Sequence, residues 1–348
     1  MRGRRGTSIR LRYAAPVFCL SLMLGAAAPL TPGLHTSVTF DRVSPVSSTA
    51  ELLRRVYTPL TAKHIATTGS ITGQPLDITR ETFAVYMPEH KPPQSYALLV
   101  FVPPWNGTNL PAGWASVLDD EGVIFVSAAN SGNDAAVQFR RIPLAVMAAE
   151  QLMQDYSIDP SRVLVGGFSG GARVALRLAL AYPDVFRGAL LNSGSDPIGT
   201  AAIPLPPPDL LHRFQEGSRV YYLTGDLDMG PRGEQAESKA SLQKFCVFDV
   251  QTAAFWRAGH TTADKHALSA ALDALLDPAP AKHDGLAECR AHLQSELAAN
   301  VQRVEALSAS SDKASARQAL DDLDTKFGNL AAAQILALEK RLSDSQSH

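Results

Sequence analysis

The amino-acid sequence predicts an α/β fold, in which helices cover both faces of a mostly parallel sheet and a helical hairpin follows at the C-terminus. Apolar runs of about four to eight residues, rich in Val, Ile and Leu, alternate with segments of helical periodicity. Apolar residues make up 45% of the 348 residues, which suffices for a sizeable core. Function in such folds lies at the carboxyl ends of the strands.

The first 28 residues have a composition of their own. The segment MRGRRGTSIRLR contains five arginines and no acid, and the apolar run YAAPVFCLSLMLGAAA follows it, with Ala26 and Ala28 in an A-x-A spacing. This order is typical of a secretory signal peptide. The apolar run is shorter than the roughly 20 residues that span a bilayer, so no stable membrane anchor is expected. We therefore predict removal of residues 1–28 and a periplasmic or secreted location.

Residues 29–276 are predicted to form the main domain. Strands are predicted around ETFAVYMP, SYALLVFVPP, VIFVSAA, RVLVGG, GALLNSG, RVYYLTG and CVFDVQTA. Helices are predicted around ELLRRVY, GWASVLDD, residues 142–156, GARVALRLALAY and ADKHALSAALDALL. The net charge is −2 and no basic patch alternates with aromatic residues, so a nucleic acid partner is not expected.

A linker, DPAPAKHDG at 277–285, is predicted after this domain. In 286–348 two sets of apolar residues recur at helical spacing: Leu293, Leu297, Val301 and Val304, then Leu320, Leu323, Phe327 and Leu330. They predict a helical hairpin, which either packs on the domain or binds a protein partner. Cys246 and Cys289 could pair in an oxidising compartment, but the sequence leaves their pairing open.

The stretch VLVGGFSGGARVAL at 163–176 carries the strongest functional signal. It places G-x-S-x-G between a predicted strand and a predicted helix, which is the context that a nucleophile elbow requires. Ser169 would stand at the tip of a sharp turn, where neighbouring backbone leaves no room for a β-carbon at the glycines. The N–H of Gly170, at the start of the helix, would face a developing oxyanion.

The segment IDPSRVLVGGFSGGARVALRLALAYPDVFRGALLNSGS resembles the α/β-hydrolase superfamily, and within it the secreted polyhydroxybutyrate-depolymerase and feruloyl-esterase-like branch. The D-P-x-R-V strand, the G-x-S-x-G-G turn and the Y-P-x-x-F segment carry the resemblance, which spans about residues 80–276. It implies the α/β-hydrolase fold and a catalytic serine, acid and histidine in that chain order.

The resemblance also assigns the acid and the base. The family places its acid in a G-x-x-D turn after the strand RVYYLTG, which selects Asp228, with Asp226 as the alternative. His260, in the loop AFWRAGHTT between the last strand and the last helix, fits the position of the base. His266 lies inside the predicted helix and reads as a surface residue.

A second oxyanion donor is expected from the loop after an early buried strand. Many relatives carry His-Gly there, whereas this chain has PPWNG at 103–107. Because proline cannot donate, the backbone N–H of Trp105 is the first candidate and that of Asn106 the second. Asn106 also begins a glycosylation sequon, which we expect to be unmodified, and Asn130–Asn133 could border the cleft. Trp105, Trp114 and Trp256 could offer apolar surface to an aryl group.

Together these features predict an exported serine hydrolase that cleaves small or polymeric carboxylic esters through Ser169, Asp228 and His260, with Gly170 and Trp105 as the oxyanion hole. The chemistry needs no metal or organic cofactor. Two alternatives remain. G-x-S-x-G-G also resembles the catalytic domain of prolyl-oligopeptidase-type peptidases, and the fold could serve a noncatalytic binding protein.

Overall fold

An eight-stranded sheet organises the computed structural model, which describes residues 29–69, 73–281, 283–310 and 312–344. The predicted signal peptide, residues 1–28, lies outside the described residues. Within the described ranges, no helix combines the length and the apolar character that crossing a membrane requires.

The sheet is mostly parallel, as predicted. Its strands are β1 Gly33–Val38, β2 Phe83–Met87, β3 Tyr96–Val102, β4 Val123–Ala128, β5 Ile158–Phe168, β6 Gly188–Asn192, β7 Arg219–Gly225 and β8 Val250–Phe255. They lie in the order β1-β2-β4-β3-β5-β6-β7-β8. The pairs β1–β2 and β2–β4 are antiparallel, and the strands from β4 to β8 are parallel. The carboxyl ends of the parallel strands therefore meet at one edge.

Helices cover both faces of the sheet. They are α1 Thr49–Val56, α2 Pro59–Thr68, α3 Trp114–Glu121, α4 Ile142–Asp155, α5 Gly170–Ala181, α6 Pro208–Gly217, α7 Met229–Lys244 and α8 Lys265–Leu276. On one face, Leu99 and Phe101 of β3 pack against Trp114 of α3 and Leu268 of α8. On the other face, Val100 of β3 lines the same small cavity as Leu144 of α4. The alternation along β3 follows from the two-residue period of a strand.

Before residue 277, four elements were not expected from the sequence, and one strand starts later. The unexpected elements are β1, α2, α6 and α7. Helix α7 shows almost no apolar periodicity, since its sequence MGPRGEQAESKASLQK buries only Ser238 and Leu242. The predicted strand CVFDVQTA begins at Val250 instead of Cys246, because Cys246 has φ of 64° and lies in the turn after α7.

The C-terminal segment packs on the remainder of residues 31–344. It contains the predicted hairpin, α9 Leu286–Ala309 and α10 Lys313–Phe327, and a third helix, α11 Ala332–Asp344. A Cys246–Cys289 disulfide, with 5.7 Å between the Cα atoms, joins α9 to the turn before β8. Asp324 Oδ1 accepts from the Leu60 N–H at 3.1 Å, and the side chain of Asn329 donates to the Tyr57 carbonyl at 2.6 Å. The segment is thus attached at several separate points.

Candidate active site

Ser169 stands at a sharp turn between β5 and α5. Its φ of 55° and ψ of −125° place it in a region that side chains rarely adopt. A β-carbon at Gly167 would lie 2.3 Å from the Gly171 carbonyl carbon, and one at Gly171 would lie 1.9 Å from the Val102 carbonyl oxygen. Only glycine fits at these two positions, which is the close backbone approach that the sequence predicts.

Three side chains from separate loops meet at this turn. His260 Nε2 lies 2.9 Å from Ser169 Oγ, and His260 Nδ1 lies 2.8 Å from Asp228 Oδ2. Both contacts are satisfied when Nδ1 carries the proton: Nδ1–H then donates to the carboxylate, and the serine hydroxyl donates to Nε2. Asp228 is buried, whereas the histidine side chain is 46% exposed. The arrangement can deprotonate a serine hydroxyl and accept its proton.

The alternative acid, Asp226, has a different role in the same turn. Its Oδ1 accepts from the Ala258 N–H at 3.0 Å, which ties the turn after β7 to the loop that carries His260. Backbone hydrogen bonds, that of Arg257 foremost, hold the pKa of the Asp226 carboxyl below its ordinary value. Asp226 is therefore a structural acceptor, and the structure places Asp228 on the imidazole.

The loop that follows His260 is held by two groups whose roles here were not expected from the sequence. The Asn192 side chain, fully buried at the end of β6, accepts from the Ala263 N–H at 2.7 Å and donates to the Leu223 carbonyl at 3.0 Å. Trp114 Nε1 donates to the Ala263 carbonyl at 2.8 Å. Trp114 is thus a core residue and not a substrate platform. His266 is exposed in the first turn of α8.

The loop after β3 carries the predicted second oxyanion donor, Trp105. The Pro104 carbonyl accepts from the Asn133 N–H at 3.1 Å, so in a trans peptide the Trp105 N–H points away from that contact. In the described part of the chain, neither this N–H nor that of Gly170 donates to a backbone carbonyl. Both donors are free in the way that an oxyanion hole requires, and their role stays a prediction.

Two neighbouring arginines bind the loop after β3 and the loop after β4. Both belong to a π-helical turn, Val137–Arg141, that precedes α4. Arg141 is buried and donates to the Pro103 carbonyl at 2.8 Å, while Arg140 donates to the Asn130 carbonyl at 2.7 Å. Burial, with a smaller contribution from Arg177, lowers the pKa of Arg141 to about 10, so it remains charged at neutral pH. Nothing in the sequence alone links these arginines to the loops.

The loops at 103–107 and 130–134 are also bonded to each other. Asn106 Oδ1 accepts from the Gly132 N–H at 2.9 Å, and its amide donates to Asp134 at 3.3 Å. The side chain of the sequon asparagine is therefore engaged within the protein. Asn133 lies against the elbow, since a β-carbon on Gly170 would meet its Oδ1 at 2.2 Å. The segment Asn130–Asn133 thus borders the site.

The aromatic side chains around the serine differ in exposure. The ring centres of Phe168 and His260 are 4.9 Å apart, and those of Trp105 and Phe168 are 6.3 Å apart. Trp105 is half-buried, and Trp256 is 79% exposed. Of the three tryptophans, Trp105 and Trp256 are therefore accessible to solvent, whereas Trp114 is buried.

Part of the chain is similar to known proteins. A family model described as phospholipase/carboxylesterase matches residues 138–202, which include the elbow. A search of curated proteins finds no match.

Several solved structures are similar to the chain. One is the poly(3-hydroxybutyrate) depolymerase LpqC from Bordetella parapertussis, at 16% identity and a TM-score of 0.42 over 60% of this chain and 88% of that one. A thermostable esterase matches at 14% and 0.39, over 51% of each chain. A puromycin-hydrolysing peptidase from Mycobacterium tuberculosis matches at 17% and 0.40, over 56% of this chain and 36% of that one. The chain therefore covers 51% of the length of the esterase and 36% of the length of the peptidase.

The sheet order and the serine elbow are those of the α/β-hydrolase fold, and the match over residues 138–202 is with a phospholipase/carboxylesterase family model. Ser169 at the elbow, within hydrogen-bonding distance of His260, has the arrangement seen in serine hydrolases.

Proposed function

We propose that the protein is an exported serine esterase. Ser169 Oγ attacks the carbonyl carbon of a carboxylic ester while His260 Nε2 takes the hydroxyl proton. Asp228 fixes the Nδ1–H tautomer and stabilises the imidazolium, and the N–H groups of Gly170 and Trp105 stabilise the tetrahedral oxyanion. The proton on His260 passes to the leaving alcohol, and water then releases the acyl group from Ser169 by the same route.

The continuous chain of hydrogen bonds from Asp228 through His260 to Ser169 carries this proposal. The three residues are brought together from the ends of β5, β7 and β8, where the parallel sheet concentrates its loops. The 24 residues from Asp196 to Arg219 leave room for a short cap only, which favours esters that reach an open cleft. The substrate is a small or polymeric ester.

Export is supported by two separate features. Residues 1–28 have the pattern of a secretory signal peptide, and the Cys246–Cys289 disulfide is of a kind that persists in oxidising compartments. A periplasmic or secreted location belongs to the proposal. Its test is the N-terminal sequence of the mature protein, which would begin near residue 29.

The catalytic proposal is tested by the hydrolysis of p-nitrophenyl acetate. We expect turnover to fall by a factor of about 10⁴ in Ser169→Ala and in His260→Ala, because a triad acts as a unit. His266→Ala is the matched control, since this histidine is exposed nearby, and should hydrolyse the ester at the wild-type rate.

The same assay separates the alternatives. Hydrolysis of an aminoacyl p-nitroanilide without hydrolysis of the acetate would indicate a peptidase. A wild-type protein that neither hydrolyses esters nor reacts with a fluorophosphonate would indicate a noncatalytic binding protein and contradict the proposal.

A further inference from the structure

The three most exposed large apolar side chains of the described residues lie in, or directly next to, the two loops that carry Asp228 and His260. They are Leu227 at 65%, Met229 at 72% and Trp256 at 79% exposed, and we call them the apolar rim. The other large apolar side chains that are exposed, Leu34, Val43 and Leu336, are 39–52% exposed and lie on other elements. Exposed apolar residues that are concentrated in one place mark a binding surface, whereas scattered ones do not.

The two loops are joined to each other by hydrogen bonds. The Asp226 N–H donates to the Phe255 carbonyl at 3.1 Å and the Leu227 N–H donates to the Ala258 carbonyl at 3.0 Å. The Asp226 carboxylate accepts from the Ala258 N–H at 3.0 Å and closes the connection. These bonds hold Leu227 and the segment after Trp256 side by side, next to the acid and the base.

The residue after Trp256 has an unusual backbone conformation. Arg257 has φ of 53°, which is rare for a residue with a β-carbon, and its guanidinium lies 4.9 Å from the centre of the Trp256 ring. Strained residues cluster at functional sites because other interactions must hold them. The strained residue here lies beside an indole that is 79% exposed and contributes nothing to core packing.

We propose that the apolar rim binds the alkyl or aryl group of an ester whose carbonyl is held at Ser169. The inference rests on the proposed esterase function and adds the substrate class: esters with a long or aromatic apolar group. The apolar rim is continuous with the catalytic loops, because Leu227 and Met229 flank Asp228 in sequence and Trp256 precedes His260 by four residues. Near the imidazole, the ring centres of Phe168 and His260 are 4.9 Å apart, and those of Trp105 and Phe168 are 6.3 Å apart.

The test compares ester series on the full protein, its triple variant Leu227→Ser/Met229→Ser/Trp256→Ser and a matched triple control, Leu34→Ser/Val43→Ser/Leu336→Ser. One series lengthens the acyl group from acetate to octanoate at a constant p-nitrophenol, and the other varies the alcohol of an acetate. Full removal of a methylene from water favours binding about 4-fold, and an open surface removes about half of its area, so kcat/KM should rise about 2-fold per methylene in one series.

We expect the ratio of kcat/KM for octanoate to that for acetate, or the corresponding ratio in the alcohol series, to be at least about 10-fold lower in the rim variant than in the wild-type protein. The control variant should keep the wild-type ratio. Thermal unfolding of all three proteins distinguishes this loss of preference from misfolding. The single variant Trp256→Ala is assayed for the same purpose. The proposal is overturned if the wild-type protein hydrolyses acetate without a preference for larger groups, or if the rim variant keeps the preference. A change of oligomeric state in the rim variant, with the preference intact, would assign the rim to a second copy instead. If the wild-type protein hydrolysed no ester and did not react with a fluorophosphonate, the proposed esterase function itself would be wrong. That result differs from a failure of the rim proposal alone.

Discussion

Ser169 occupies a backbone conformation that costs of the order of 1–3 kcal/mol, and the turn around it is built to hold that strain. The meeting of Ser169, Asp228 and His260 could be predicted because Ser169 lies in a local motif, and because the family resemblance places an acid after the strand RVYYLTG and a histidine after the last strand. Asn192 and Arg141 could not be predicted, because their hydrogen-bond partners lie 31 to 71 residues away for Asn192 and 38 residues away for Arg141. For single residues, the sequence predicts roles that depend on a local motif, but it does not predict hydrogen bonds to residues that lie far along the chain.

The two aspartates of one turn should differ sharply in their effect on catalysis. Asp228→Asn removes the carboxylate that fixes the imidazole tautomer, so kcat should fall by about 10⁴. Asp226→Asn keeps an acceptor for the Ala258 N–H and should change kcat less than about 10-fold. Steady-state kinetics of the two variants on p-nitrophenyl acetate makes the comparison. If Asp228→Asn left kcat unchanged and Asp226→Asn lowered it strongly, the catalytic acid would be Asp226 and not Asp228.

At the scale of elements, the buried strands and the helices between them were predictable, because a parallel sheet covered on both faces needs continuous apolar runs. Helix α7 was missed because it buries two residues and contains Gly230, Pro231 and Gly233. Strand β1 was missed because it is an edge strand with a largely exposed sequence, GLHTSV. The third C-terminal helix was missed although its buried Ile335, Leu338 and Leu342 recur at helical spacing.

Two glycine substitutions should separate the crowded elbow from an open helix. Gly171→Ala would place a β-carbon 1.9 Å from the Val102 carbonyl oxygen, a backbone atom of β3, and should destabilise the fold by about 3 kcal/mol. Gly233→Ala, which meets nothing within 4 Å inside α7, should stabilise it by about 0.5–1 kcal/mol. Urea unfolding of both variants measures the difference, and equal stabilities would show that β3 does not press on the elbow.

At the scale of the whole molecule, the C-terminal helices are bound to the remainder of the chain by a disulfide, by polar contacts with the region of α2, and by the Leu205 carbonyl, which accepts from the Asn329 N–H at 2.9 Å. The sequence indicated the helices but left open whether they pack on the domain or bind a protein partner. That outcome depends on partners such as Cys246 and Leu60, which lie far from these helices in the sequence. The possible protein partner of this segment remains a prediction.

Removal of the disulfide should lower stability by up to about 4 kcal/mol, given the 43-residue separation of its cysteines. The double variant Cys246→Ser/Cys289→Ser and the reduced wild-type protein should unfold at the same urea concentration, below that of the oxidised protein. A reductant should have no further effect on the variant. A shift below about 1 kcal/mol would mean that the packing of α9 alone fixes the segment.

Asp324 should make stability depend on pH. Burial raises the pKa of its carboxyl above the ordinary value, so the folded protein holds the proton more tightly than the unfolded chain does. Stability is therefore lost as the pH rises from the unfolded value through the raised folded value. Asp324→Asn, which keeps an acceptor for the Leu60 N–H, should raise Tm at pH 7, and the gain should vanish towards pH 4. A variant that is less stable than wild type at both pH values would contradict this reading.

The nucleophilic role of Ser169 is tested most directly by the mass of the protein during turnover of a p-nitrophenyl ester, with the reaction quenched in acid and the modified peptide located by mass spectrometry. We expect one acyl group on the peptide that contains Ser169, and we expect it to be absent in Ser169→Ala and to form far more slowly in His260→Ala. Turnover with no acyl group on Ser169, or with full activity in Ser169→Ala, would contradict this role.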